Sequence, residues 1–202
     1  MSQRGSGYER KERDLYETPA WVTEALLPHI CNRVDAPIWE PAVGGRKMMD
    51  ALAAIGFPVH GTDIADGCDF LKQSKSTFDY DFIITNPPYD LAREFIEHAL
   101  KMTADRGLVA MLLRTDYDHA ATRQHLFSGC AQFAKKLVLT KRIVWFDGPK
   151  AAPSFNHAWY IWDWKHSGPP VLAYGPDQSN PKTLLERVEE AAGRSVPAHE
   201  PR

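Results

Sequence analysis

Long hydrophobic runs are missing from this chain, although apolar residues make up 44% of its 202 positions. The longest, such as residues 108–113, have the length of a strand and fall far short of the ~20 residues that a bilayer needs. Residues 1–13 are polar and charged, without the apolar stretch of a signal peptide or anchor, so a cytoplasmic protein with no membrane partner is expected. Cysteine is scarce: Cys31, Cys68 and Cys130 stand far apart with no CxxC pair. That excludes a disulfide framework and fits small core residues in a reducing compartment. Neither sign of charge dominates. The 24 Lys and Arg against 26 Asp and Glu leave −2, which excludes a coat for nonspecific nucleic-acid binding and leaves contacts with phosphate to local patches. The eight histidines include no HExxH and no paired Cys/His spacing, so no metal site is expected.

What is present reads as an ordinary globular domain, with 25% charged residues and enough length for one real core. The expected organisation is a flexible leader at 1–15, a single domain at 16–175, and a tail at 176–202 carrying a short helix or no structure. Thr18 can cap a first helix with Pro19 at its first position, and Trp21, Val22, Ala25 and Leu26 follow at helical spacing. Apolar segments at 37–40, 57–61, 78–85 and 108–114 then alternate with helical stretches at 47–55 and 91–102. That rhythm predicts a parallel sheet with helices on both faces. Residues 137–146 and 158–164 are rich in aromatic and β-branched side chains and flank a Gly/Pro/Ala loop at 147–157. They predict two strands closing the sheet edge as an antiparallel pair, with a short strand at 171–174 to follow. Trp145, Trp159, Trp162 and Trp164 fall in these segments and most are expected in the core.

The sharpest local signal is Asn86-Pro87-Pro88-Tyr89, directly after the apolar segment 82–84. In a doubly wound sheet this is the carboxyl end of a strand, where ligands bind. A Pro-Pro turn that merely ends a strand would explain the four residues alone. They have company, however. Trp39-Glu40-Pro41-Ala42-Val43-Gly44-Gly45 is a strand followed by a glycine turn that opens a helix, which lets a small ligand approach the backbone. Asp63 follows at about the 20-residue spacing from which a carboxylate can grip ribose hydroxyls. Asp69-Phe70 pairs an acceptor with an aromatic ring, suited to the amino group and face of an adenine. These loops, each at a strand end, converge on a nucleoside-shaped site.

Together they resemble the class I S-adenosylmethionine-dependent methyltransferases, and within them the amino-methyltransferases of DNA adenine. The resemblance spans residues 16–165, and residues 150–164 also look like the small forms found in phage and prophage. It implies a doubly wound, mostly parallel Rossmann-like methyltransferase sheet with an antiparallel edge strand. It also implies S-adenosyl-L-methionine as cofactor. Tyr16 and Thr18 match the motif that meets the methionine carboxylate, and Glu40, Pro41, Ala42 and Gly44 match the glycine motif beneath the methionine moiety. Asp63 with Ile64 matches the ribose-binding acid, Asp69 with Phe70 the adenine pocket, and Asn86, Pro87, Pro88 and Tyr89 the catalytic tetrapeptide, whose Asn86 also borders the cofactor. The family often writes a second glycine where Arg46 stands here; that side chain either narrows the methionine pocket or points outward towards substrate phosphate.

The chemistry suits these residues. An adenine N6 amine is a poor nucleophile because its lone pair is delocalised into the ring. The Asn86 side-chain oxygen and the Pro87 carbonyl can accept its two hydrogens while Tyr89 stacks on the base, so alignment and oriented dipoles do the catalysis. A duplex substrate must be flipped out to reach the site. Arg114, Lys150, Phe155 and His157 are the expected substrate contacts, and a basic footprint is expected at Arg46, Lys47, Arg114 and Lys150. DNA stands ahead of RNA as partner. The core nearly consumes the 202 residues, so target recognition is expected from loops, a second copy in a homodimer, or a partner subunit. Competing readings are an RNA adenine or protein glutamine N-methyltransferase, and a non-catalytic partner subunit of the same fold. An oxidoreductase is weaker, because no GxGxxG is present.

Overall fold

The computed structural model describes residues 16–30, 36–75, 78–145 and 155–176. The expected leader, nearly all of the tail, Cys31 and the loop holding Lys150 lie outside the described residues. Among the described residues seven strands form one sheet: β1 (Ile38–Glu40), β2 (Val59–Gly61), β3 (Phe82–Thr85), β4 (Leu108–Arg114), β5 (Phe133–Leu139), β6 (His157–Asp163) and β7 (Val171–Gly175), in the order β2-β1-β3-β4-β6-β5-β7. β6 alone runs against its neighbours, pairing from Leu108↔Asp163 to Arg114↔His157 with β4 and from Phe133↔Trp162 to Val138↔Ala158 with β5. The antiparallel strand therefore lies two places inside the rim, inserted between β4 and β5, and β7 forms the edge, parallel to β5.

The helices are α1 (Ala20–Leu26), α2 (Lys47–Ala53) and α3 (Ala92–Met102). Strand residues alternate between the two faces. Ile38, Phe82, Ile84, Leu108, Ala110, Leu112, Trp159 and Ile161 pack on one side with Val22, Leu26 and Leu52 of α1 and α2. Trp39, Ile83, Val109, Met111, Tyr160 and Trp162 pack on the other. There Ala92, Phe95, Ile96, Ala99 and Met102, spaced at helical period along α3, cover them. The buried indoles keep their N–H groups paired, as burial requires. Trp159 Nε1 donates to the Val22 carbonyl at 2.9 Å and Trp162 Nε1 to the Leu126 carbonyl at 2.7 Å.

Three local expectations change. Pro19, not Thr18, occupies the cap position of α1, with no side-chain capping bond; Thr18 is instead buried against the cavity described below. β2 and β3 start late, because Phe57 and Phe78 pack onto the sheet rather than pair within it. The Phe78 ring stacks on Trp39 at 4.5 Å and 17°. The strand expected at 137–146 begins at Phe133 and ends at Leu139. Lys135 and Lys136 disguise its start, yet their ammonium groups are held, Lys135 beside His29 Nδ1 at 3.2 Å and Lys136 by Asp118.

Candidate active site

β1, β2 and β3 run parallel, so Glu40, Gly61 and Thr85 end on the same edge. The loops that follow them, with residues 16–18, enclose a cavity of about 570 Å³, within the usual size for a small-molecule site. Tyr16, Thr18, Glu40, Pro41, Ala42, Gly44, Asp63, Ile64, Asp69, Phe70 and Asn86 to Tyr89 all line it.

The glycine turn is built by backbone bonds across the strand ends. Thr62 N donates to Glu40 O at 2.9 Å and Val43 N to Thr62 O at 3.0 Å. Asp63 ties the same turn down: its Oδ2 accepts from Gly44 N at 3.0 Å and its Oδ1 from Ala65 N at 2.8 Å. A Cβ on Gly45 would run into the Glu17 carboxyl group, so the missing side chain is what lets Glu17 lie against the turn, where it pairs with Lys47 at 2.8 Å. Arg46 sits in the left-handed region at φ 68°, a conformation that a glycine adopts without strain. Its side chain is exposed and does not line the cavity, which decides between the two orientations expected for it.

Two buried oxygens on the cavity wall have no hydrogen-bond partner among the described residues. Glu40 is 2% exposed and its Oε2 accepts no hydrogen bond. Burial pushes its pKa well above the usual carboxylate range, and the Asp50 and Asp63 charges push the same way, against the backbone of Met49 and the charge of Arg46. Asn86 donates from Nδ2 to the Tyr16 carbonyl at 3.1 Å, which fixes the amide and leaves Oδ1 buried and unpaired. An orphaned buried acceptor costs roughly 1–3 kcal/mol, so both are poised for donors supplied from outside. At the lip, Ile64 is 69% exposed.

No family model and no curated protein matches the chain. Solved structures do. A Listeria monocytogenes protein provisionally named a class I S-adenosylmethionine-dependent methyltransferase superposes with TM-score 0.59 at 15% identity, over 90% of this chain and 72% of that one. The type IIG restriction endonuclease BpuSI gives TM-score 0.59 at 12% identity over 97% of this chain, which spans only 30% of that enzyme's length. A Pyrococcus horikoshii protein provisionally named an RNA methyltransferase gives 0.52 at 12%, over 79% and 92%. This chain has the class I methyltransferase fold. In that fold the cavity lies at the carboxyl edge of the parallel strands, where doubly wound sheets bind ligands.

The expected substrate contacts are distributed differently. His157 does not reach the cavity: it is 2% exposed and its Nε2 lies 3.0 Å from the Tyr89 hydroxyl, so it supports Tyr89 and presents no surface to a substrate. Burial pulls its pKa down to about 4, which keeps the ring neutral. Arg114 and Phe155 also stand outside the wall. The Arg114 guanidinium stacks 4.2 Å from the Phe155 ring and pairs with both oxygens of Asp116. Phe70 is core before it is pocket, 2% exposed between Trp39, Phe95 and His98. The Asp69 oxygens receive Leu71 N at 3.1 Å and Lys72 Nζ at 3.0 Å. The cavity wall also includes Glu17, inside the Tyr16–Pro19 motif but given no role, Lys47, expected only in the basic footprint, and Cys68 and Phe95, which no motif marks. Cys68 stood beside a motif residue, and Phe95 belonged to the apolar stripe of α3, whose packing takes its ring to the site.

Proposed function

We propose that this chain is a methyltransferase that uses S-adenosyl-L-methionine to methylate the N6 amine of adenine in DNA. The observation that carries the reading is the Asn86 amide, locked by the Tyr16 carbonyl with its oxygen buried and unpaired at the end of β3. The residues fit the cofactor. The orphaned Glu40 Oε2 is an acceptor for an ammonium group, Asp63 retains lone pairs for ribose hydroxyls beyond its two backbone bonds, and the exposed Ile64 offers apolar surface to a base. When bound, that cofactor supplies an electrophilic methyl group on a sulfonium.

The chain's own residues do the rest. Asn86 Oδ1 and the Pro87 carbonyl accept the two amine hydrogens and localise the nitrogen lone pair. Tyr89, held through its hydroxyl by His157, carries the base. DNA is favoured over RNA by the superposition of 97% of this chain on 30% of a restriction endonuclease, and target recognition is assigned to loops, a second copy or a partner subunit. Incubating the protein with labelled cofactor and separate DNA, RNA and protein pools should label N6-methyladenine in DNA. N86A should lower turnover about a thousandfold, the order seen when one oriented polar contact is lost from a reaction centre, and Y89A should act similarly, both with unchanged far-UV circular dichroism. Label in RNA or in protein glutamine would replace this reading with the corresponding alternative, and full activity in N86A would remove Asn86 from the chemistry.

A further inference from the structure

A second cleft of about 200 Å³ opens beside the first and shares Glu17 and Lys47 with it as a common wall. Its other sides are Trp21 at the start of α1 and Lys141, Arg142 and Trp145 in the segment after β5. In a chain of net charge −2, three cations meet a single carboxylate among the described residues of this cleft, and Lys47 already spends its charge on that carboxylate at 2.8 Å. Lys141 and Arg142 are exposed. They are aimed rather than adrift: Lys141 Nζ lies 5.1 Å from the Trp21 ring centroid and Arg142 Nε donates to Asn156 Oδ1 at 3.1 Å.

An aromatic path connects this cleft to the reaction centre. The Trp145 ring meets Tyr16 at 5.4 Å, and Tyr16 meets Tyr89 at 6.0 Å. Cations paired with half-buried indoles are the chemistry that holds a polynucleotide, phosphates on the charges and sugar or base faces on the rings. We propose that this cleft is the track for the backbone of the strand that carries the target base, with Lys141 and Arg142 on the phosphates flanking it. The inference rests on the nucleic-acid reading above and adds to it the route of the strand.

The test is fluorescence anisotropy of a labelled, adenine-containing oligonucleotide, single-stranded and duplex, over a salt series. In K141Q/R142Q, affinity should fall about tenfold at ~0.1 M salt, and the log–log salt slope should shrink by about 1.4 for single strand or 1.8 for duplex, as expected for two lost phosphate contacts. KM for the oligonucleotide should rise with kcat retained, while equilibrium binding of S-adenosyl-L-methionine stays unchanged and so reports an intact fold. K141E/R142E should deepen the loss. K101Q/K165Q, the same charge change on α3 and beyond β6 at the opposite sheet edge, should do nothing. A wild-type slope and KM in K141Q/R142Q, or an equal loss in the control pair, would overturn the track while leaving DNA methylation by the wild type standing. If the wild type binds the cofactor but modifies no nucleic acid, the functional reading fails and the track falls with it.

Discussion

Two buried polar regions of this sheet are built on opposite terms. At the ends of β1 and β3, Glu40 Oε2 and Asn86 Oδ1 are buried with nothing among the described residues to accept from. Between β4, β5 and β6, the network around Asp118 is satisfied. Lys136 Nζ donates to both Asp118 oxygens at 2.9 and 2.8 Å and to Thr115 O at 2.8 Å, and the single Tyr160 O–H has three acceptors within reach, Asp118 Oδ1 and the Arg114 and Thr115 carbonyls. Burial and the Asp118 charge push the Tyr160 phenol well up, so it stays a donor. An orphaned acceptor is a cost that a bound ligand can offset; a closed network asks nothing from outside the chain.

The difference can be broken most forcefully from the closed side. K136M leaves Asp118 without its cation in a partly buried site and should cost about 3 kcal/mol in chemical denaturation, whereas an apolar replacement of similar shape at an unpaired oxygen, such as E40L, should leave stability unchanged or raise it. Equal losses in both places would erase the contrast. His157 gives the next effect. Folding keeps its ring neutral down to about pH 4, against an ordinary value of 6.5, so as pH falls through that window the unfolded chain takes up a proton that the folded chain refuses. Stability should drain between pH 6.5 and 4 by up to about 3 kcal/mol, and H157Q, which cannot titrate, should show a flatter profile of thermal midpoints. A difference curve without pH dependence would refute the buried, neutral ring. The smallest effect belongs to Arg46. R46G relieves its left-handed backbone and should stabilise by about 1 kcal/mol, or a few degrees in Tm; a loss would mean that the arginine side chain contributes more than its backbone costs.

Legibility followed locality. The cavity wall was readable because its parts are short runs, Glu40 to Gly44, Asp63-Ile64, Asp69-Phe70 and Asn86 to Tyr89, each tied to one strand end. The far side was not. The sequence reading puts His157 at the substrate, whereas the pairing Arg114↔His157 sets it beside β4, where it is buried against the Tyr89 hydroxyl. Lys141 and Arg142 carried no motif, and their proximity to Trp21 depends on β5 ending at Leu139 next to α1. Residues 135 and 136 obscured β5 because two lysines break an apolar pattern, and only their partners His29 and Asp118, distant in sequence, show why they are tolerated there.

The amino-acid sequence by itself determined the alternating rhythm of strands and helices, hence the two-faced sheet, and the four loops that meet at its edge, since hydrophobic period and turn residues act over a few positions. The insertion of β6 between β4 and β5, the unpaired oxygens, the neutral His157 and the second cleft were decided only in three dimensions. Each depends on which strand lies beside which and on how much water that leaves around a polar atom, and neither is encoded in any local run of residues.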